Sequence, residues 1–224
     1  MSNNNPKFDF EKKYYHLDNF LRKTVFLKDG KKHGPDITFY DNGRIHIIYY
    51  YQDGELTSDS MYTEEGFLES YHEYKDGKDD GKSFWYSGKK LYNEKIREDG
   101  KIIENRYFHE NGQIIVDFNY DSGKKNGKSI FYNENGHIGM KMNYKNNKRH
   151  GKYIIYQPCE YGSVLLKGKF KNDKLYGKQE HFFPDGKQRG VQVFEDGNLV
   201  SSSGDVSFVL LNQYKEQTMD SKLY

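Results

Sequence analysis

Along most of this chain, apolar side chains recur at every second residue between short polar breaks. Ile45-Ile47-Tyr49-Tyr51 and Ile114-Val116-Phe118-Tyr120 are the clearest stripes. A period of two places such residues on one face of a β-strand, and a period of 3.6 fits neither segment. The breaks are glycine turns on a grid. One set runs Gly43, Gly66, Gly88, Gly112, Gly136, Gly162 and Gly186, at spacings of 22 to 26 residues. A second set interleaves with it: Gly30, Gly54, Gly77, Gly100 and Gly123, then Asn147, Asp173 and Gly197. Asn and Asp are the non-glycine residues that best tolerate a left-handed backbone, so both substitutes support the turn reading. Asp-Gly or Asn-Gly recurs at these breaks, and tight hairpin turns need that chemistry. The pattern predicts about seven tandem repeats of roughly 23 residues, each a β-hairpin.

Three further markers ride on the grid. An aliphatic residue follows the first glycine set at Ile45, Leu68, Ile114, Ile138 and Val164, with Leu91 one residue late. An aromatic precedes the second set at Tyr51, Tyr74, Tyr120, Tyr144, Phe170 and Phe194. These six are expected to be structural, stacking from repeat to repeat as cross-strand ladders. A third glycine opens the other strand at Gly34, Gly81, Gly127, Gly151 and Gly177, which predicts a bulge or a close approach. The expected reason is room for an aromatic from the neighbouring hairpin to lie flat over the backbone. Together these features predict an all-β fold: an elongated single-layer antiparallel sheet spanning residues 26–200. Residues 1–25 read as a tail and entry strand, and 201–224 as a C-terminal cap. Asp205 is placed to N-cap a helix over 206–217.

The units Lys31-Lys32-His33-Gly34…Tyr40-Asp41-Asn42-Gly43 and Lys125-Asn126-Gly127-Lys128…Asn135-Gly136 resemble MORN repeats. They resemble more closely the bacterial MORN-variant repeats of YwqK-type antitoxins, over roughly residues 26 to 200. The resemblance implies single-layer hairpin arrays used for protein–protein contact and, in some members, for lipid association. The antitoxin form implies an antitoxin or immunity protein that neutralises a cognate toxin by binding it.

Composition narrows the picture. Aromatics make up 17% of the chain, with 21 Tyr and 15 Phe, while hydrophobic residues total only 34%. Tyrosine supplies ring area with a tip that can stay wet, which suits a thin core. The net charge of +2 conceals a lengthwise imbalance. Asp36 to Asp80 carries twelve acidic and three basic residues, and Lys141 to Arg189 twelve basic and four acidic. The acidic stretch suits a basic protein partner, a toxin among them. The basic stretch offers an alternative: a scaffold or membrane-surface role on anionic lipid. Its Lys145, Lys148, Arg149, Lys152, Lys169, Lys171 and Lys174 also form the candidate for single-stranded nucleic acid. That reading is disfavoured, because lysines on exposed strands commonly serve solubility.

Catalytic and cofactor motifs are missing from the sequence. No H-x-x-x-H, C-x-x-C, H-E-x-x-H or phosphate-loop spacing occurs, so no enzyme, metal or cofactor is expected. Cys159 is the single cysteine, no apolar leader opens the chain, and no run approaches the ~20 residues that span a bilayer. These features lead to the expectation of a cytoplasmic protein. Departures from the repeat mark candidate partner contacts: Trp85 and Tyr86 before a shortened turn, Arg97 in a ladder slot, and nearby Arg106 and His109. Trp, Tyr and Arg are enriched at binding hot spots.

Overall fold

A computed structural model describes residues 10–15, 20–157 and 162–206. The described residues form nineteen strands and no helix. The chain divides into two compact units, Met1–Gly136 and His137–Tyr224.

In the first unit, β1 (Phe10–Tyr15) pairs with β2 (Leu21–Lys28) as the entry strand. Next come β3 (Lys31–Phe39), β4 (Ile45–Gln52), β5 (Glu55–Tyr62) and β6 (Leu68–Lys75). They are followed by β7 (Lys78–Ser87), β8 (Lys90–Glu98), β9 (Lys101–Phe108) and β10 (Ile114–Asp121). The unit closes with β11 (Lys124–Lys125) and β12 (Gly127–Tyr132), one strand interrupted at Asn126. The second unit holds β13 (Ile138–Lys145), β14 (Lys148–Tyr156) and β15 (Val164–Lys171). It continues with β16 (Lys174–Leu175) and β17 (Gly177–Phe182), again one interrupted strand. Its last hairpin is β18 (Gln188–Glu195) and β19 (Asn198–Gly204). Within each unit the pairing is antiparallel between chain neighbours, so each is an open sheet of successive hairpins. The all-β hairpin array expected from the turn grid is therefore present. The sheet reaches further along the chain than expected, since β19 continues the pairing to Gly204. The predicted helix from Val206 lies, beyond that residue, outside the described residues.

The turns obey the backbone rule that located them. At Asp76-Gly77 both central residues have positive φ (50° and 71°), and Asn146-Asn147 does the same without glycine (52° and 67°). This is the type I′ geometry whose twist matches the flanking strands. Five of the longer turns are closed by an aromatic–aliphatic pair, Phe39–Ile45, Tyr62–Leu68, Tyr86–Leu91, Phe108–Ile114 and Tyr156–Val164, while the β17–β18 turn has Phe182–Gln188.

Two expectations change in detail. The glycines opening alternate strands do sit at bulges, where one residue opposes three: Glu73 spans residues 80–82, and Asn143 spans residues 150–152. The reason is not a flat aromatic. Gly81 has φ 86° and Gly151 φ 89°, conformations that L side chains rarely adopt. What leans over the bulge is polar. The Glu73 carboxylate accepts the Lys82 amide at 2.7 Å, and the Asn143 amide donates to the Lys152 carbonyl. Those side chains satisfy backbone groups that the bulge removes from the ladder. The repeat aromatics, moreover, are not cross-strand neighbours of one another. Leu56, Leu175 and Leu199 stand opposite Tyr51, Phe170 and Phe194, and Asp79, Lys125 and Arg149 opposite Tyr74, Tyr120 and Tyr144, so a non-aromatic residue separates successive rings.

Candidate functional site

Register assigns every strand residue to a face. In the first unit one row runs Val25–Asp36–Tyr49–Asp59–His72–Ser83–Lys95–Asn105–Phe118 across successive strands. This face is the packed one, yet much of what it buries is polar, including Asp36, Ser70, Ser83, Asn93 and Asn105. Asp36, Ser83, Asn93 and Asn105 have partners built into the sheet. Asp36, 1% exposed, is 2.9 Å from the Lys23 ammonium and 2.6 Å from that of Lys32. Its hydrogen bond is the main reason the Lys32 pKa is raised. Asn93 donates to the Asn105 carbonyl oxygen at 2.7 Å, and Asn105 donates to the Tyr120 hydroxyl at 3.4 Å.

Asp59, His72 and Ser83 are consecutive on this row, in the order of a hydrolytic relay. His72 Nδ1 lies 3.2 Å from Asp59 Oδ1, and the Tyr74 hydroxyl donates to Asp59 Oδ2 at 3.3 Å. Burial raises the Asp59 carboxyl above the usual carboxylate range, against the pull of His72 and Tyr74. Burial, with the Asp59 charge second, pushes the Tyr74 phenol up to about 12. The third member departs from a relay. Ser83 is 2% exposed and accepts a hydrogen bond from Arg97 at 3.1 Å, while buried His72 Nε2 has no hydrogen-bond partner among the described residues. The row is a packed polar seam rather than a nucleophile with its base. Among the described residues, no three His, Cys, Asp or Glu side chains gather as a metal site, and no helix is long and apolar enough to cross a membrane.

The five predicted contact residues do not converge. Trp85 is half-buried on the packed face, with the His72 ring at 5.2 Å and the Lys95 ammonium 4.6 Å from its ring centre. Arg97 shares that face and stands opposite Gly81, as Tyr51 stands opposite Gly34, so it does occupy a ladder slot. It is held by Ser83 and by Asp79 at 3.7 Å. Arg106 belongs to the other face, ringed by Glu94 at 3.3 Å, Glu104 at 2.6 Å and Asp117 at 3.6 Å. Tyr86 also points to that face, paired with Leu91 beside a bulge. His109 opens a long turn, and its Nε2 lies 3.1 Å from the Tyr132 carbonyl oxygen in the next repeat. Tyr40 makes the same link to the Tyr62 carbonyl, so His109 ties turn to turn. Of the ladder residues, Tyr144 and Phe170 are buried, and Tyr51, Tyr74, Tyr120 and Phe194 half-buried.

The second unit presents a different surface. Its packed face holds Met142, Tyr144, Tyr153, Ile155, Leu166 and Phe170. The reverse face of β13 to β17 carries nine lysines and, among its strand residues, a single carboxylate, Glu180. Lys152 and Lys169 stand directly opposite each other, as do Lys145 and Lys148, and Lys171 and Lys174. Sequence reasoning named most of these lysines but did not place them together. Arg149, counted with them, lies on the packed face, its guanidinium 4.5 Å from the Phe170 ring centre and 3.2 Å from Asp173. The missed signal was parity: Lys141 and Lys145, Lys148 and Lys152, Lys167 to Lys171, and Lys174 and Lys178 each recur at even spacing.

No family model matches the chain, and no curated protein matches it. Solved structures show limited likeness. A glycosylation-associated protein complex from Streptococcus agalactiae aligns at 17% identity and TM-score 0.31, over 46% of this chain and 19% of that one. Accessory secretory protein 1, 2 and 3 from Streptococcus pneumoniae aligns at 17% and 0.27, over 50% and 19%. The Photorhabdus luminescens Tc holotoxin pore aligns at 12% and 0.21, over 88% and 13%. The chain spans less than one fifth of the length of each of these three structures.

Proposed function

We propose that this chain is a non-enzymatic protein-binding repeat module. The observation that carries the reading is the contrast between side chains engaged within the sheet and lysines left exposed on it. Side chains with chemical potential, Asp59, His72, Arg97, Arg106 and His109, are tied to the sheet's own groups. In the second unit the reverse face leaves eight of its nine lysines exposed, Lys141 being half-buried. A sheet face of fixed spacing suits contact with another macromolecule better than enclosure of a small substrate. The resemblance to YwqK-type repeats supplies the specific form: an antitoxin or immunity protein covering a toxin's functional surface.

The test is native-level purification of the tagged chain after brief cross-linking, followed by mass measurement of the intact complex. The expected result is one protein partner at fixed stoichiometry. For the antitoxin form, that partner expressed alone arrests growth and co-expression of this chain restores it. Recovery of the chain with no protein at fixed ratio overturns the proposal.

A further inference from the structure

We infer that the lysine face of the second unit is a docking surface for an acidic protein segment; this rests on the protein-binding reading above and names its partner class. The starting point is an electrostatic cost. Like charges directly opposite on neighbouring strands repel. This face has three such pairs on adjacent hairpins: Lys145–Lys148, Lys152–Lys169 and Lys171–Lys174. All six are exposed, and none has a carboxylate within ion-pair distance among the described residues. Glu180 answers one lysine alone, Lys167, at 3.5 Å. Lys178, two residues before Glu180, extends the row onto a third strand. Charges concentrated in this way favour an opposite-sign partner over the free state.

The chemistry of the face selects among polyanions. Every cation on it is lysine, a hydrated point charge. Phosphate recognition favours the planar fork of arginine, and both arginines of β14 and β18 are committed elsewhere: Arg149 to Asp173 and Arg189 to Asp205. Single-stranded nucleic acid also needs open rings on which bases stack. Here Tyr156, Phe182 and Tyr176 lie beneath ammonium groups, Lys141 at 5.0 Å, Lys167 at 4.8 Å and Lys171 at 5.2 Å from the ring centres, and of the three Tyr176 alone is exposed, too few for a run of stacked bases. A membrane site calls for apolar side chains that stand proud and insert. Ile154 and Leu165 on this face are instead half-buried between lysine neighbours. Carboxylates on a strand or helix, spaced about 5 to 7 Å apart, match lysines on strands about 4.8 Å apart without needing fork geometry.

The test uses the full chain and fluorescein-labelled poly-L-glutamate, read by anisotropy across a salt series. Wild type is expected to bind, more weakly as salt rises. Combining Lys152→Gln, Lys169→Gln and Lys178→Gln should weaken binding by roughly tenfold, the scale of a few exposed charge contacts. The matched first-unit variant Lys82→Gln, Lys101→Gln, Lys124→Gln should bind as wild type. Far-ultraviolet circular dichroism and melting of both variants check the fold. No binding of poly-L-glutamate, or equal binding by the second-unit variant, overturns this inference and leaves the protein-binding reading to its own test. Oligothymidylate or phosphatidylserine vesicles that outcompete poly-L-glutamate through the same three lysines overturn both.

Discussion

The two units solve one repeat with opposite interiors. In the first, Val25, Val116 and Phe118 are the buried apolar side chains, and seven polar ones are buried with them. Among the described residues of the second, six apolar side chains are buried beside only Gln179 and His181. The ladder position follows the same change. Tyr51, Tyr74 and Tyr120 serve the first unit, each hydroxyl meeting a polar neighbour: Lys32, Asp59 and Asn105. In the second the slot begins with buried Tyr144 and changes to Phe170 and Phe194, and Phe170 packs against Tyr153 with ring centres 4.9 Å apart. A thin sheet can thus be stabilised through hydrogen-bonded pairs at the ring tips or through dry packing of ring faces. Buried polar pairs contribute less net stability than apolar contact, yet removing one partner is costly. The second unit should depend on volume and the first on pairing.

The largest effect should come from volume in the second unit. Ile155 is fully buried, and Ile155→Ala is expected to cost about 3–4 kcal/mol through lost burial and the cavity left behind. Urea unfolding followed by circular dichroism measures it. A loss below about 1 kcal/mol would mean that the site collapses and the core is not close-packed.

Exchanging ladder residues attacks the contrast directly. Tyr74→Phe removes the donor to Asp59 while keeping the ring, and should cost about 1–2 kcal/mol. Phe170→Tyr places a hydroxyl in the dry interior of the second unit, and should cost about 1–3 kcal/mol. If both exchanges prove neutral, the Tyr-to-Phe switch along the ladder has no energetic meaning.

Acid should separate the units by sign. His181 is buried in the second unit, its Nε2 3.0 Å from the Gln192 amide oxygen, and burial lowers its pKa below the ordinary value of 6.5. The folded state therefore binds fewer protons than the unfolded chain between the two pKa values. Its contribution is complete above about 6.5 and is lost as pH falls towards the folded pKa. Asp59 has the reverse sense: its folded pKa is raised, so its destabilising contribution is relieved as pH falls towards the unfolded pKa near 4. Melting temperature measured from pH 7 to pH 5 should fall in wild type and fall less in His181→Gln. Equal slopes would remove His181 as the cause.

The fold was largely legible because its signals are local. Positive φ at Asp-Gly turns and alternation within strands need no knowledge of distant neighbours, and even the Asn147 and Asp173 substitutes read correctly. The bulge register was not legible: Gly81 announces a bulge but not that Glu73 will oppose three residues. Nor was the identity of the packed face. Asp36, Ser83, Asn93 and Asn105 look like solvent-facing residues in sequence, and only cross-strand partners make their burial tolerable. The candidate contact residues were chosen by type, and type does not reveal face. Trp85 and Arg97 share one side of the sheet, while Tyr86 and Arg106 share the other. The lysine face could have been found, since parity alone places its lysines together once the strands are assigned.

The smallest effect gives the finest probe of the first unit. Trp85 is the protein's single tryptophan, so its fluorescence reports on the polar seam without interference. Lys95 caps its ring at 4.6 Å, and His72 lies against it at 5.2 Å. Lys95→Met keeps the aliphatic stem and removes the charge, so the loss includes the cation–π contact, expected at about 0.5–1 kcal/mol. Emission should shift as the ring loses its polar lid, while the circular dichroism spectrum stays unchanged. An unaltered emission maximum with unaltered stability would show that Lys95 samples water rather than the ring, leaving Trp85 supported by His72 and the cross-strand pairs with Ser70 and Asn93. In that case the half-buried indole is an open aromatic surface on the packed face, free to meet a partner.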